Sequence, residues 1–168
     1  MKRTLFTTTL ICAALLGGAV IKGQAGTSND STAKEIMAAF DTYVVGWHDG
    51  NLKQLTGSYL NDGRVSAYWP DPSRGGLLEG WTRISTDLDD IFTHSGGMDL
   101  DFHDRKIEVY GNTAVLTSLW TWAAPPSPSF THGRVTFVFV KQGKQWRVVH
   151  EHSSVMPFIP GDPATEKQ

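Results

Sequence analysis

The chain has 168 residues, 40% of them hydrophobic, with 15 basic and 17 acidic side chains and a formal net charge of −2. This balance excludes a strongly basic protein, so we expect neither nucleic acid nor an anionic membrane surface as a partner. A chain of this length can bury enough surface to support one self-contained domain.

Residues 1–25 have the pattern of a secretory signal peptide. Lys2 and Arg3 precede an apolar stretch from Leu5 to Ile21 that contains no acidic residue, and a small-residue cleavage site follows, ending at Ala25. The apolar stretch is short for a membrane-spanning helix, although a retained membrane anchor is the alternative interpretation. We therefore expect a secreted or periplasmic protein that has no membrane association after the signal is cleaved.

Cleavage would also change the charge and the cysteine content. It would remove three of the 15 basic residues and none of the 17 acidic ones, which leaves a formal charge of about −5. It would remove Cys12, the only cysteine, so the exported protein must fold without disulfides. Residues 26–30 are then a flexible polar lead-in.

Two helices are predicted after this lead-in. Apolar residues between Ile36 and Trp47 recur at helical spacing, with Asp30 or Ser31 as the N-cap. The sequence His48-Asp49-Gly50-Asn51 ends this helix, and a short second helix carries apolar positions between 52 and 59.

A short strand, a third helix and four long strands complete the pattern. Alternation around Ala67 predicts the short strand, and the apolar spacing from Trp81 to Phe92 predicts the helix. Gly111-Asn112 and Gly143 mark the turns of two antiparallel hairpins. The order predicts an α+β domain with helices on one face of a curved sheet, spanning residues 31–157, followed by a C-terminal tail at 158–168.

The final strand ends in polar side chains on both of its faces. Strict alternation places Trp146, Val148, His150, His152 and Ser154 on one face and Arg147, Val149, Glu151, Ser153 and Val155 on the other. Buried polar groups need partners or a function, so this strand is predicted to form one wall of a site.

Three separated stretches resemble one superfamily. The run from His48 to Leu52 is similar to the junction between the first two helices of SnoaL-like, or nuclear transport factor 2-like, domains. Tyr68-Trp69-Pro70 and Leu78-Glu79-Gly80 resemble their first strand and the entry to their third helix. The run from Gly143 to Ser154 resembles the closing strand of the subgroup that includes the calcium/calmodulin-dependent protein kinase II association domain.

The resemblance implies a cone-shaped α+β fold: three N-terminal helices packed on a strongly curved antiparallel sheet, with an open pocket and commonly a dimer. It does not imply one chemistry, because the superfamily contains enzymes of several classes, binding proteins and assembly modules.

The resemblance also implies which residues face the pocket. Positions that are polar in the kinase association domain correspond here to Trp69, Ile84, Trp120 or a neighbour, Arg134 and Ser153. The implied pocket is mostly aromatic, with Trp69 and Trp120 as ligand-binding residues. Its polar groups are Arg134, Ser153 and, by strand parity with Ser153, Glu151.

Glu151 is the candidate catalytic residue. A carboxylate on an apolar pocket wall is desolvated, which raises its pKa and suits it to act as a general base near neutral pH. The alternative is a structural ion pair between Glu151 and Arg134 or Arg147.

His150 and His152 are further candidate ligand-binding residues. Their i, i+2 spacing on a strand can present two imidazoles to one metal ion, with His132 as a third ligand. The alternative, implied by the resemblance, is a strand feature that faces away from the pocket. We therefore expect neither a bound metal nor a cofactor.

The sequence therefore suggests a protein that binds a small, largely apolar or aromatic molecule in a cone pocket. Cofactor-independent acid/base catalysis of the isomerase, lyase or hydrolase type can accompany this binding. A non-catalytic oligomerisation module and a metal-binding protein using His150 and His152 are the alternatives. A homodimer is expected because Trp122, Phe137 and Phe139 are assigned to the outward faces of the last strands.

Overall fold

The structure is a computed structural model that describes residues 30–71, 76–123 and 130–156. The predicted signal peptide at residues 1–25, the start of the lead-in and the C-terminal tail at 158–168 lie outside these described residues. None of the described helices is both long enough and apolar enough to cross a membrane.

Three helices and six strands make up the described part of the chain. In chain order they are α1 (Asp30–His48), α2 (Leu52–Thr56), β1 (Ser66–Tyr68), β2 (Leu77–Glu79), α3 (Trp81–Ser95), β3 (Leu100–Tyr110), β4 (Thr113–Ala123), β5 (Phe130–Gln142) and β6 (Gln145–Val155). The strands form one sheet in the order β2-β1-β6-β5-β4-β3. The predicted α+β fold with three N-terminal helices and a curved sheet is confirmed.

The sheet differs from the prediction in two details. The predicted loop after the first strand contains a further strand, β2, which pairs with β1 in antiparallel fashion. Strand β1 then pairs with β6 in parallel, so the sheet is mixed rather than wholly antiparallel. The second helix also ends at Thr56, and Tyr59 lies beyond it.

The core lies between α1 and the inner face of the sheet. Ile36, Phe40, Tyr43 and Trp47 follow one side of α1 and are buried. The rings of Phe40 and Tyr43 lie 5.1 Å and 5.0 Å from that of Phe137 on β5. Aromatic contacts of this kind therefore join the helix to the sheet.

The residues on which the dimer expectation was based face inward. Phe137 and Phe139 are fully buried in this core, and Trp122 lines an internal cavity described below. The assignment of these three side chains to the outer surface is wrong, because their side of the sheet is the side that the helices cover.

A β-bulge in β6 changes which side chains share a face. Phe139 pairs with Val148 and Val138 pairs with His150, which leaves Val149 as an extra residue. Trp146 and Val148 therefore point inward together with Glu151 and are all buried, whereas strict alternation had placed them opposite Glu151.

Candidate functional site

A cavity of about 480 Å³ lies between α1, the end of α3 and the inner face of the sheet. Six of the described aromatic residues line it: Tyr43 and Trp47 from α1, Trp69 just after β1, Phe102 from β3, and Trp120 and Trp122 from β4. Near its mouth lie His94 and Ser95, which are exposed at the end of α3. The cavity therefore has the volume and the apolar walls of a small-molecule site.

Glu151 is the buried polar group of this cavity. It lies on β6 between Ala67 of β1 and Phe137 of β5, and only 4% of its surface is exposed. This position in the middle of the sheet fixes the backbone on both sides. The carboxylate is therefore held rigidly at the cavity wall.

Three side chains donate hydrogen bonds to the Glu151 carboxylate. The Tyr59 hydroxyl donates to Oε2 over 2.5 Å, and the Tyr43 hydroxyl lies 3.3 Å from both carboxylate oxygens. The indole N–H of Trp69 is the third donor. These donors stabilise the charged form of the carboxylate.

Burial raises the pKa of Glu151 to about 7, because the charged form loses its water. The hydrogen bonds from Tyr59, Trp69 and Tyr43 act in the opposite direction and lower it. Burial and the adjacent Glu151 charge raise the pKa values of both tyrosines well above the ordinary value, so both remain neutral donors. Near neutral pH, Glu151 can therefore either accept or release a proton.

The indole of Trp120 packs over Gly133 on the neighbouring strand. Gly133 on β5 pairs with Trp120 on β4, and a Cβ atom at position 133 would lie 2.5 Å from the indole ring. The Trp120 indole N–H donates to the carbonyl of Arg134 over 3.3 Å, which fixes the ring plane. Gly133 thus leaves room for one aromatic wall of the cavity.

Four of the predicted site residues meet in this cavity. Glu151, Ser153, Trp69 and Trp120 all line it. Arg134 does not belong to this group: it is exposed and lines a different depression, on the outer face of the sheet, with His152 and Ser154. The placement of Arg134 in the cone was wrong by strand parity, since its partner across the ladder is Ser154.

The positions of these side chains also show which groups are the partners of the Glu151 carboxylate. Its partners are the hydroxyl groups of Tyr43 and Tyr59 and the indole of Trp69. The alternative of an ion pair with Arg134 is wrong, because the two side chains lie on opposite faces of the sheet.

His150 and His152 also lie on the outer face. His150 Nδ1 is 2.8 Å from the Ser66 hydroxyl of β1, and the ring of His152 lies 5.3 Å from that of Tyr68. Burial, with the nearby His152, lowers the pKa of His150. The part of the chain that the structure describes holds no group of three His, Cys, Asp or Glu side chains suited to a metal ion.

Several site residues were not identified as such from the sequence. Tyr43 and Trp47 were predicted as core positions of α1, and Tyr59 as part of α2. The sequence did contain a signal for the two tyrosines. A buried tyrosine hydroxyl usually finds a hydrogen-bond partner, and Glu151 was predicted to be a buried acceptor. Periodicity alone did not connect residues that are 92 and 108 positions apart.

Comparison with known proteins places these features in one family. The model of the SnoaL-like domain matches residues 36–158. No curated protein matches the chain.

Solved structures with the same fold show low sequence identity. A dehydratase candidate of the nuclear transport factor 2-like family from Streptomyces avermitilis is 18% identical with a TM-score of 0.67, covering 76% of this chain and 97% of that one. A nuclear transport factor 2-like protein of unknown function from Pseudomonas putida is 19% identical with a TM-score of 0.68, covering 79% and 91%.

A third solved structure shares the same fold. A candidate calcium/calmodulin-dependent protein kinase type II association domain from Thiobacillus denitrificans is 16% identical, with a TM-score of 0.64, covering 72% of this chain and 94% of that one. The family model matches most of the described chain, and one conclusion follows: this chain belongs to the SnoaL-like domain family.

Proposed function

We propose that the protein binds a small, largely apolar or aromatic molecule in its cone cavity and that Glu151 is the acid/base group acting on it. The observation that carries the proposal is a buried carboxylate with a raised pKa on the wall of an aromatic cavity. Perturbed acids in clefts are typical of functional sites. The open cavity favours ligand binding over the alternative of a non-catalytic association module, for which a filled cone is expected.

The chemistry that this site supports is proton transfer without a cofactor. In its ionised form Glu151 accepts a proton from a C–H or O–H group of the ligand, or from a water molecule. It then returns that proton to another atom, which gives an isomerase, lyase or hydrolase type of reaction. Tyr43 and Trp69 stabilise the carboxylate from the cavity side, and Tyr59 holds it from behind.

The proposal also includes export of the protein. The charged start, apolar stretch and cleavage site of residues 1–25 support a secreted or periplasmic location. Mass spectrometry of the exported protein is expected to find an N-terminus at or near Gly26, and an intact Met1 in the cytosol would contradict export.

A homodimer is proposed on a different surface from the one first expected. Val115, Leu119, Val138 and Val140 alternate with the buried core residues on β4 and β5, so they lie on the outer face of the sheet, half-buried. An apolar surface of this kind commonly pairs with a second copy.

A thermal-shift screen of small aromatic and apolar compounds tests the ligand proposal. We expect hits that also quench tryptophan fluorescence, because four tryptophans line the cavity. Their affinity is expected to change by about 10-fold or more in Glu151→Gln, which keeps the shape of the side chain and removes its charge. The exposed carboxylate of Glu79 provides a control, Glu79→Gln, that is expected to bind like the wild type. Hits whose affinity is equal in all three proteins would contradict a role for Glu151.

A further inference from the structure

The described residues that line the cavity include acidic side chains and a histidine. Among the described lining residues there are two carboxylates, Asp71 and Glu151, one histidine, His94, and neither lysine nor arginine. Glu151 is buried, whereas the side chain of His94 is 76% exposed at the mouth. The interior of the cavity is therefore negative or neutral, depending on the proton of Glu151.

The walls around this carboxylate are π-systems. Tyr43, Trp47, Trp69, Trp120 and Trp122 supply large aromatic surfaces within one cavity. The faces of such rings carry partial negative charge and attract cations, with tryptophan the strongest. An anion in the cavity would lie next to these ring faces and the carboxylate. The described lining residues include no lysine or arginine to pair with it.

A neutral apolar ligand fits the walls but gives the carboxylate no partner beyond the hydrogen bonds from Tyr43, Tyr59 and Trp69. The charged form of Glu151 would remain desolvated beside the hydrocarbon surface of such a ligand, which disfavours ionisation of the carboxyl group. A positively charged ligand removes this conflict, because it replaces water as the partner of the carboxylate while its alkyl groups contact the aromatic rings. Aromatic walls and one buried carboxylate together thus select a lipophilic cation.

We propose that the cavity takes an organic cation, an alkylated ammonium group, with its charge between the tryptophan faces and Glu151. The inference rests on the proposed ligand-binding function and specifies its ligand class. The alkyl or aryl remainder of the ligand occupies the rest of the cavity of about 480 Å³.

This assignment couples binding to the proton of Glu151. The groups that face its carboxylate are Tyr43 from α1, Tyr59 from the segment after α2 and the indole of Trp69, and both tyrosines stay neutral at ordinary pH. Asp71 and the exposed His94 also line the cavity. A bound cation lowers the pKa of Glu151 below its value of about 7, so binding below neutral pH releases a proton.

The test compares three probes of one shape and different charge. Choline carries the cation, dimethylbutanol replaces its nitrogen by carbon and is neutral, and dimethylbutyrate is the corresponding anion. Affinities are measured by calorimetry and tryptophan fluorescence on the exported protein after removal of its signal peptide. At about pH 8, where Glu151 is ionised, we expect choline to bind at least about 10-fold more tightly than the alcohol, and the anion to bind more weakly than either.

Two further measurements separate this inference from the proposed function. The preference of the wild-type protein for choline over the alcohol is expected to shrink several-fold at about pH 6, where Glu151 takes up its proton. In Glu151→Gln this preference for choline is expected to shrink similarly, whereas Glu79→Gln is expected to keep the full preference. Equal or tighter binding of the alcohol to the wild type at about pH 8 would overturn the cation inference alone. A cavity that bound none of the probes would overturn the inference and, with an empty compound screen, the proposed function also.

Discussion

The Tyr59 hydroxyl donates to Oε2 of Glu151 over 2.5 Å although Tyr59 does not line the cavity. The chain holds Tyr59 there through its neighbours: Leu60 N–H donates to the carbonyl of Val148, and Val148 N–H donates to the carbonyl of Ser58. Val148 immediately precedes the bulge that turns Glu151 inward. Tyr59 is therefore a positioning residue that supports the carboxylate from behind.

Replacement of Tyr59 by phenylalanine is predicted to raise the pKa of Glu151 above about 7, because a donor to its charged form is lost. The same change is expected to lower the free energy of unfolding by about 1–3 kcal/mol, as for a hydrogen bond to a charged group. The pH profile of ligand binding and urea denaturation measure the two effects. A purely structural role for Tyr59 would lower stability and leave the pH profile in place.

Tyr110 offers a matched control for this substitution. Its exposed hydroxyl donates to Glu108 over 2.6 Å, so Tyr110→Phe removes a similar hydrogen bond at the surface. Solvent replaces that partner, and the free energy of unfolding is expected to change by at most about 0.5 kcal/mol.

Glu151 is predicted to make stability fall as pH rises from about 4.5 to about 7. In this window the unfolded chain has released the proton of Glu151 while the folded protein still holds it, so the folded state loses stability with each step in pH. Across the whole window the contribution of Glu151 to the free energy of unfolding falls by about 3 kcal/mol, and above about pH 7 this contribution stays constant. Urea denaturation at several pH values measures it. The difference in stability between Glu151→Gln and the wild type should change across this window, and parallel curves would contradict the raised pKa.

Much of the fold was predictable because it rests on local periodicity. The apolar stripe of α1 from Ile36 to Trp47 and the turn at Gly111-Asn112 specify their elements by spacing alone. The parity that groups Glu151 with Ser153 was also correct, since both residues follow the bulge.

The bulge at Val149 could not be predicted in the same way. A bulge inserts one residue without a required residue type, and here no glycine marks it. Trp146 and Glu151 were therefore assigned to different faces although both point inward. The placement of Arg134 failed for a related reason, because a resemblance between sequences does not fix which face of a strand a side chain takes.

The outer-face proposal predicts a dimer that depends on Val138. Val138 lies half-buried beside Val115 of β4, and a lysine there would place a charge within an apolar interface. Light scattering at micromolar concentration is expected to show a dimer for the wild type and a monomer for Val138→Lys. The exposed Val45 on α1 gives the control Val45→Lys, which should remain dimeric. A monomeric wild type would reject this interface, and a ring of many subunits would favour the association-module alternative.

Gly133→Ala is predicted to disturb the cavity through Trp120 without touching Glu151. The added methyl group would meet the Trp120 ring at 2.5 Å and the backbone carbonyl of Ser154, and neither the strand nor the indole held by the Arg134 carbonyl can move freely. Overpacking of this kind destabilises by about 1–3 kcal/mol. The displaced indole should also narrow the cavity, so ligands found by thermal shift are expected to bind more weakly and the tryptophan emission to change. Gly63→Ala is the control, because a Cβ atom there meets no other atom within 4 Å. Unchanged binding and emission in Gly133→Ala would show that Trp120 does not form the wall that contacts the ligand.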